Sequence, residues 1–245
     1  MSGRIVTSSV LLSMFSGHLA LAGVVVDTSI GTAPPPTTLG GYPMGGFPPD
    51  LNPTGTAVLD VPPPSVAPVT GNLVFSAPAT LYVVGTNPGE WDGWSHGYAG
   101  DVYHANWTGV GASMFARIDL ALPANTLAFA LYLEPEVKTA TWDFDLTCTS
   151  VGSRAGTVTG LSISGGGGAR YVGFYTDDPT DPLASIQIAT TTEPFLGFGM
   201  GEFTINVIPE PGASAVLTGG LLLGAALAGR RRILAQSLKR LRQRH

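Results

Sequence analysis

The sequence has only one cysteine, which limits how the fold can be held together. Cys148 is alone among 245 residues, so no disulfide can form within one chain. The fold must therefore depend on its apolar core. Cys148 lies in an alternating strand pattern, and we expect it to be a buried, unreactive thiol.

Basic residues are scarce between the two ends of the chain. Of the 12 Lys and Arg, seven follow Gly229 and one is Arg4, which leaves four against all 17 Asp and Glu, a net charge of −13. Phosphate binding requires a basic surface, so nucleic acid is excluded as a partner. We attribute the acidic surface to solubility, with binding of divalent cations as the alternative.

Residues for catalysis are also few. Only His96 and His104 lie between the terminal segments, without a metal-ligand spacing, which excludes a three-histidine zinc site. The stretch Gly93-Trp94-Ser95-His96-Gly97 has the spacing of a hydrolase nucleophile elbow, but the residues after it cannot form the helix that an elbow requires. The glycines from Gly165 to Gly168 lack the Lys-Ser/Thr of a phosphate loop. The sequence predicts no enzyme, no catalytic residue and no cofactor.

The N-terminus has the features of a signal peptide. Arg4 precedes an apolar run from Ile5 to Ala22, and Ala20-Leu21-Ala22 fits the small-x-small rule of signal peptidase. We predict a signal peptide over residues 1–22, with an uncleaved anchor as the alternative.

The C-terminus has the features of a membrane anchor. The segment from Gly212 to Gly229 is uncharged and long enough to cross a bilayer as a helix, which takes about 17 to 25 residues. Arg230, Arg231 and Arg232 follow it, and the tail 233–245 contains no acid, so this end is predicted to be cytoplasmic. The alternative is a buried helix of a soluble protein followed by a solvated basic tail.

A known sorting signal has the same three parts in the same order. Pro209-Glu210-Pro211, the apolar span and the arginine cluster resemble the PEP-CTERM signal of bacterial surface and exopolysaccharide-associated proteins. The resemblance assigns residues 208–232 to the signal and implies two partners, the membrane and an exosortase-type processing enzyme. It also implies an exported protein, anchored before processing and afterwards at the cell surface or outside the cell.

The segment 23–70 is rich in proline and glycine. Runs such as Pro34-Pro35-Pro36 and Pro62-Pro63-Pro64 fix φ and remove backbone donors. We predict an extended linker with polyproline II character, in which 58–61 is a candidate edge strand.

The segment 71–207 has many short stretches that alternate between apolar and polar residues, with turn residues between them. This pattern predicts an all-β sandwich, with one face of Thr141 to Cys148 in the core. Residues 91–207 also resemble a jelly-roll domain found ahead of PEP-CTERM signals, notably at Trp94 to Tyr103 and Gly197 to Phe203. The predicted strands are 73–76, 81–84, 102–105, 114–120, 127–133, 139–149, 156–163, 170–176, 184–190 and 202–207.

Two groups of residues are candidate binding sites. Aromatic rings cluster in a glycine-rich loop region, and exposed rings of this kind stack on sugars. The alternative is that the rings attach long loops to the core. These rings are Trp91, Trp94, Tyr98, Tyr103 and Trp107. A weaker candidate is a turn with Asp177, Asp178 and Asp181, which could hold Ca²⁺, although an ordinary solvated turn is the favoured interpretation.

Together these features predict a non-enzymatic surface or extracellular-matrix protein with a structural role. The alternative function is a carbohydrate-binding module that retains the protein in exopolysaccharide.

Overall fold

The described part of the protein folds as one antiparallel sheet of 13 strands. The computed structural model describes residues 23–65, 68–86, 91, 93–106, 115–166, 168–194 and 197–207. Within these residues the one helical element is a 3-10 turn at Ser95–Gly97, so the all-β prediction is confirmed. The strands are β1 (Val24–Asp27), β2 (Thr38–Leu39), β3 (Tyr42–Gly46), β4 (Ala57–Val61), β5 (Leu73–Val83), β6 (Asp101–Ala105), β7 (Phe115–Thr126), β8 (Ala128–Pro135), β9 (Thr141–Ser150), β10 (Ala155–Ser164), β11 (Arg170–Thr176), β12 (Leu183–Pro194) and β13 (Phe198–Asn206).

The sheet bends back on itself. Its strand order is β1-β11-β8-β13-β6-β5-β7-β12-β9-β10, with β3 beside β13 and β4 beside β5. Phe144 of β9 and Phe198 of β13 are separated by four strands in this order, yet their ring centroids are 5.4 Å apart. The two edges also meet, because a Cβ built on Gly156 of β10 would lie 2.6 Å from the carbonyl oxygen of Val24 in β1. The two halves of the sheet thus face each other across one core.

Strand β9 shows how the alternation builds this core. Trp142, Phe144, Leu146 and Cys148 are buried, while the residues between them face outward, as the sequence pattern predicted. Burial raises the pKa of the Cys148 thiol to about 12, so the predicted buried, unreactive thiol is consistent with the structure.

Strand β8 is buried on both faces. Phe129, Leu131 and Leu133 point into the main core. Ala130 and Tyr132 point the other way and belong to a second apolar cluster, which includes Leu39, Trp91, Trp94 and Tyr171. An outer layer therefore covers this part of the sheet, and it positions the candidate site.

The prediction that residues 23–70 form an extended linker has to be corrected. This segment contains four strands of the folded sheet. β1 pairs with β11, β3 with β13 and β4 with β5. The prolines are compatible with this arrangement, since most lie in the connections. Pro43 occupies the short strand β3, where its carbonyl accepts the N–H of Val207 at 2.9 Å. Apolar residues of this segment complete the core, as Val58 and Val61 are buried.

Some strand limits also differ from the predicted ones. The stretches 73–76 and 81–84 form one continuous strand, β5, and β13 begins at Phe198 rather than at Glu202. The predicted signal peptide, the Pro209-Glu210-Pro211 motif, the span 212–229, Arg230 to Arg232 and the tail 233–245 lie outside the described residues. Within the described part, no helix has the length and apolar character needed to cross a membrane.

The closure between β1 and β10 can be tested at Gly156. We expect Gly156→Ala to lower the free energy of unfolding by about 1–3 kcal/mol, because the new methyl group would overlap the backbone of β1. Gly46→Ala in β3 is the matched control, since a Cβ there meets no atom within 4 Å. Urea unfolding of both variants measures the difference. Equal stabilities would contradict the contact, and with it the inclusion of β1 in the fold.

Candidate functional site

The predicted sugar-binding rings are buried rather than displayed. Trp91 is 6% exposed, Trp94 8% and Tyr103 2%, and Tyr98 is partly buried. Trp107 lies outside the described residues. The four described rings therefore cannot form an open stacking platform. Their geometry matches the alternative interpretation, in which the rings attach a loop to the core.

Glycines in β13 make room for this attachment. A Cβ on Gly199 would lie 2.6 Å from the Trp91 ring, and a Cβ on Gly197 would overlap the His104 ring. Trp91 packs against His104 at 5.9 Å and edge-on against Trp94 at 5.8 Å between ring centroids. These contacts fix the start of the 3-10 turn, and so the positions of Ser95 and His96.

His96 is held by hydrogen bonds at both ring nitrogens. Its Nε2 lies 2.7 Å from Oε1 of Glu202, and its Nδ1 lies 3.2 Å from the carbonyl oxygen of Thr32. Because that carbonyl can only accept, Nδ1 carries a hydrogen, and a single proton lies between Nε2 and Glu202. His96 and Glu202 both have a positive φ, of 43° and 50°, a conformation that costs energy outside glycine. The hydrogen bond between His96 and Glu202 thus joins two residues with strained backbones in the outer layer.

An open groove of about 420 Å³ lies beside the turn. One wall carries Trp94, Ser95 and His96, and the other carries Glu134 and Lys138, with glycines of the segment 165–168 between them. Ser95 and Glu134 are each 5% exposed. Ser95 Oγ and Glu134 Oε2 are buried without a hydrogen-bond partner among the described residues. A ligand in the groove would meet polar atoms that the protein itself does not satisfy.

Glu134 is uncharged near neutral pH. Burial raises the pKa of its carboxyl to about 8, against a smaller lowering by the Lys138 ammonium. A protonated carboxyl both donates and accepts a hydrogen bond. The groove therefore offers mixed donors and acceptors rather than a negative charge.

The three aspartates of the proposed calcium turn are already bonded within the protein. Asp177 Oδ1 accepts the N–H of Gly23, and Asp178 accepts from Thr180 and Arg154. Asp181 accepts from Ser150 and from the N–H of Gly152. No group of three potential metal ligands occurs in the part of the chain that the structure describes. Asp178 and Asp181 both face the Arg154 guanidinium, at 3.3 and 3.6 Å, so a cation of the protein itself lies beside them.

The Gly-x-Ser-x-Gly stretch does not form a nucleophile elbow. Ser95 lies in a 3-10 turn, the residues directly before it, Gly93 and Trp94, are not part of a strand, and a non-helical residue, His96, interrupts the turn. Both nitrogens of His96 are engaged by Thr32 and Glu202, so His96 is not placed to take a proton from Ser95.

Sequence reasoning missed Glu134, Lys138 and Thr32, which the fold brings to the groove. Thr32 was assigned to a linker. Glu134 had a detectable signal, since it is the first charge after the apolar run from Leu127 to Leu133. On the outer face of an ordinary strand such a charge is solvated, and its burial follows only from the layer that covers β8.

Comparisons with known proteins identify no family. No protein-family model matches the chain, and no curated protein is similar to it in sequence. Solved structures give weak matches. A family 22 carbohydrate-binding module from Clostridium thermocellum is 16% identical with a TM-score of 0.33, and the match covers 66% of this chain and 98% of the module.

Two further structures from the same organism match at the same level. A family 11 carbohydrate-binding module, in complex with a mixed-linked tetrasaccharide, is 10% identical with a TM-score of 0.30, covering 54% of this chain and 84% of that chain. Modules of endo-1,4-beta-D-xylanase 10B complexed with xylohexaose are 14% identical with a TM-score of 0.32, covering 53% of this chain. The match spans 24% of the length of the xylanase chain. Similarities of this size establish neither family nor function.

The protonation of Glu134 has a consequence for stability. Its pKa is about 8 in the folded protein and about 4.5 in a solvated chain, so between these pH values the folded state binds the extra proton. The free energy of unfolding therefore falls as the pH rises through this window. We expect Glu134→Gln to remove this pH dependence. The melting temperature of the variant, compared with that of the wild type, should therefore increase between pH 5 and pH 8.

Thermal unfolding at several pH values measures this effect. Asp60→Asn, which removes an exposed carboxylate on β4, is the control and should keep the wild-type pH dependence. A Glu134→Gln variant that follows the wild type at every pH would show that Glu134 ionises normally.

Proposed function

We propose that this chain is an exported surface or extracellular-matrix protein whose β domain binds an exopolysaccharide in the groove of Ser95 and Glu134. The observation that carries the proposal is the set of buried polar atoms at the groove that have no partner within the described residues. Leaving such groups unpaired costs about 1–3 kcal/mol each. A ligand rich in hydroxyl groups would satisfy them, since each hydroxyl donates and accepts.

The charge of the domain favours an uncharged polysaccharide. The chain between the terminal segments has a net charge of −13, and an acidic polysaccharide would be repelled by it. Within the groove Glu134 is neutral near pH 7, and glycines leave the backbone accessible. Recognition in this proposal depends on hydrogen bonds in a groove, not on stacking against the rings that the sequence singled out.

The protein acts by binding and by its location, not by catalysis. The engagement of His96 at both nitrogens and the bonding of the calcium candidates within the protein support this proposal. The export route rests on the sequence alone: a signal peptide over 1–22, the motif Pro209-Glu210-Pro211, a helix over 212–229 and Arg230 to Arg232. The membrane and an exosortase-type enzyme are the partners on this route, and the jelly-roll relationship belongs to the same proposal.

A purely structural role is the second candidate. It is favoured by the burial of Trp91, Trp94 and Tyr103, which removes the exposed rings expected of many sugar-binding surfaces.

Polysaccharide binding separates the two candidates. We expect affinity electrophoresis in gels containing uncharged β-glucan to retard the protein, and gels containing alginate to leave it unretarded. Ser95→Ala and Glu134→Leu should each weaken binding roughly 3- to 10-fold, because each removes a hydrogen-bonding group. Ser164→Ala, on the exposed face of β10, is the matched control and should bind as the wild type does. A folded protein that no polysaccharide retards would favour the structural role.

The sorting proposal is tested by intact mass in the native host. We expect protein from the cell surface and medium to end near Pro211, without its basic tail. A variant with Pro209, Glu210 and Pro211 changed to Ala should keep that tail and remain in the membrane fraction. If both proteins extend to His245, the C-terminus is a permanent anchor and the motif is not a processing site.

A further inference from the structure

A second, smaller pocket lies beside β13, at the point where its neighbouring strand changes from β6 to β3. β6 pairs with β13 as far as Gly201, and β3 pairs with it from Thr204 onward. Glu202 and Phe203 lie between these two ladders, at an irregularity in the strand register. The pocket has a volume of about 160 Å³, and its walls include Pro48, Tyr98, Asp101 and Tyr103. An engineered cavity of about 150 Å³ holds benzene, so one ring-sized group fits.

Glu202 contributes a carboxylate oxygen that the protein leaves unpaired. Its side chain is only 10% exposed, and its Oε1 is bonded to His96. Its Oε2 is buried and has no partner in hydrogen-bond geometry among the described residues. Burial has the largest effect and raises the pKa of Glu202, while His96 and, less strongly, the nearby Trp94 indole lower it. A donor entering the pocket would satisfy the unpaired oxygen.

Two aspartates add negative charge at the same place. Asp101 lines the pocket, and its Oδ2 accepts the N–H of Asp50 at 2.5 Å. Asp50 in turn accepts the hydroxyl hydrogen of Tyr103 at 3.3 Å. Burial and the neighbouring Asp50 charge raise the pKa of Asp101, and the same carboxylates help to raise the pKa of Tyr103. No Lys or Arg occurs among the pocket-lining residues, so the negative charge has no cation of its own inside the pocket.

Aromatic rings complete the walls. Tyr103 and Phe203 are stacked with centroids 5.4 Å apart and planes 15° apart, and Tyr98 lines the same pocket. Aromatic faces attract organic cations, and apolar walls suit carbon-bearing ones better than a hydrated metal ion. The described residues also contain no group of three metal-ligating side chains.

We propose that this pocket binds an organic ammonium group, held by Glu202 and Asp101 and enclosed by Tyr98, Tyr103 and Phe203. The ammonium group can belong to an amino sugar unit or to an alkylamine, since both present a positive charge beside apolar carbon. This site is separate from the groove of Ser95 and Glu134, and it does not depend on the proposed function there.

Calorimetric titration of the full-length chain in detergent at pH 7 tests the proposal. The probes are glucosamine, N-acetylglucosamine and propylamine. We expect glucosamine or propylamine to bind, and N-acetylglucosamine, which lacks the charge, to bind at least about tenfold more weakly than glucosamine. Tighter binding of glucosamine than of propylamine identifies an amino sugar as the source, and the reverse order identifies an alkylamine.

Variants link the binding to the pocket. Glu202→Gln and Asp101→Asn should each weaken binding of the preferred cation roughly tenfold or more, and Asp60→Asn, on the exposed edge strand β4, should not change it. Two variants are used because Glu202→Gln also alters the hydrogen bond to His96 and can destabilise the protein. Unfolding curves show which variants remain folded. Equal affinity for glucosamine and N-acetylglucosamine, no binding of either cation, or unchanged binding in a folded variant overturns the proposal. Loss of polysaccharide retention with unchanged ammonium binding would count against the proposed groove of Ser95 and Glu134, and not against this pocket.

Discussion

The outer layer of this protein depends on the absence of side chains along one face of β13. Gly199 and Gly197, which directly precedes β13, lie on the face opposite the main core, where a Cβ would overlap the Trp91 and His104 rings. The Trp91 and His104 rings occupy this space. Because the rings lie directly on the strand, the loop that carries Trp94, Ser95 and His96 is pressed against β8 and β13. Both binding sites proposed for the domain follow from that close approach.

A covered face changes the chemistry of the polar residues that it traps. Glu134 and Glu202 lie on the outer faces of their strands, where carboxylates are ordinarily solvated and ionised. Under the loop, the pKa of Glu134 is raised to about 8, and Glu202 forms a hydrogen bond with His96. His96 lines the groove and Glu202 lines the second pocket, so one hydrogen bond forms the partition between the two sites. A change in either residue should therefore be felt on both sides of the partition.

The sequence was informative where a pattern was local. The alternation from Trp142 to Cys148 predicted β9 and its buried face, and the all-β class followed from many such stretches. It failed where long-range pairing decides the outcome. The prolines of 23–70 indicated a linker, yet β1 and β3 find partners about 150 residues further along the chain. Ring clustering at Trp91 and Trp94 was a real signal, but the sequence could not show that glycines in β13 would bury those rings. Glu134 could not be recognised as a site residue because its cover comes from two distant segments.

The position of β13 has a consequence for how the chain reaches its folded state. It is the last described strand in the chain, and it lies between β8 and β6 while also pairing with β3. Because the chain is synthesised from its N-terminus, the sheet cannot be completed until residues 198–206 have emerged. Until then, the edges of β8 and β6 are exposed, and such unpaired edges readily join other strands. Since pairings over long sequence distances form slowly, folding of this domain is expected to be late and to need protection while the chain is incomplete.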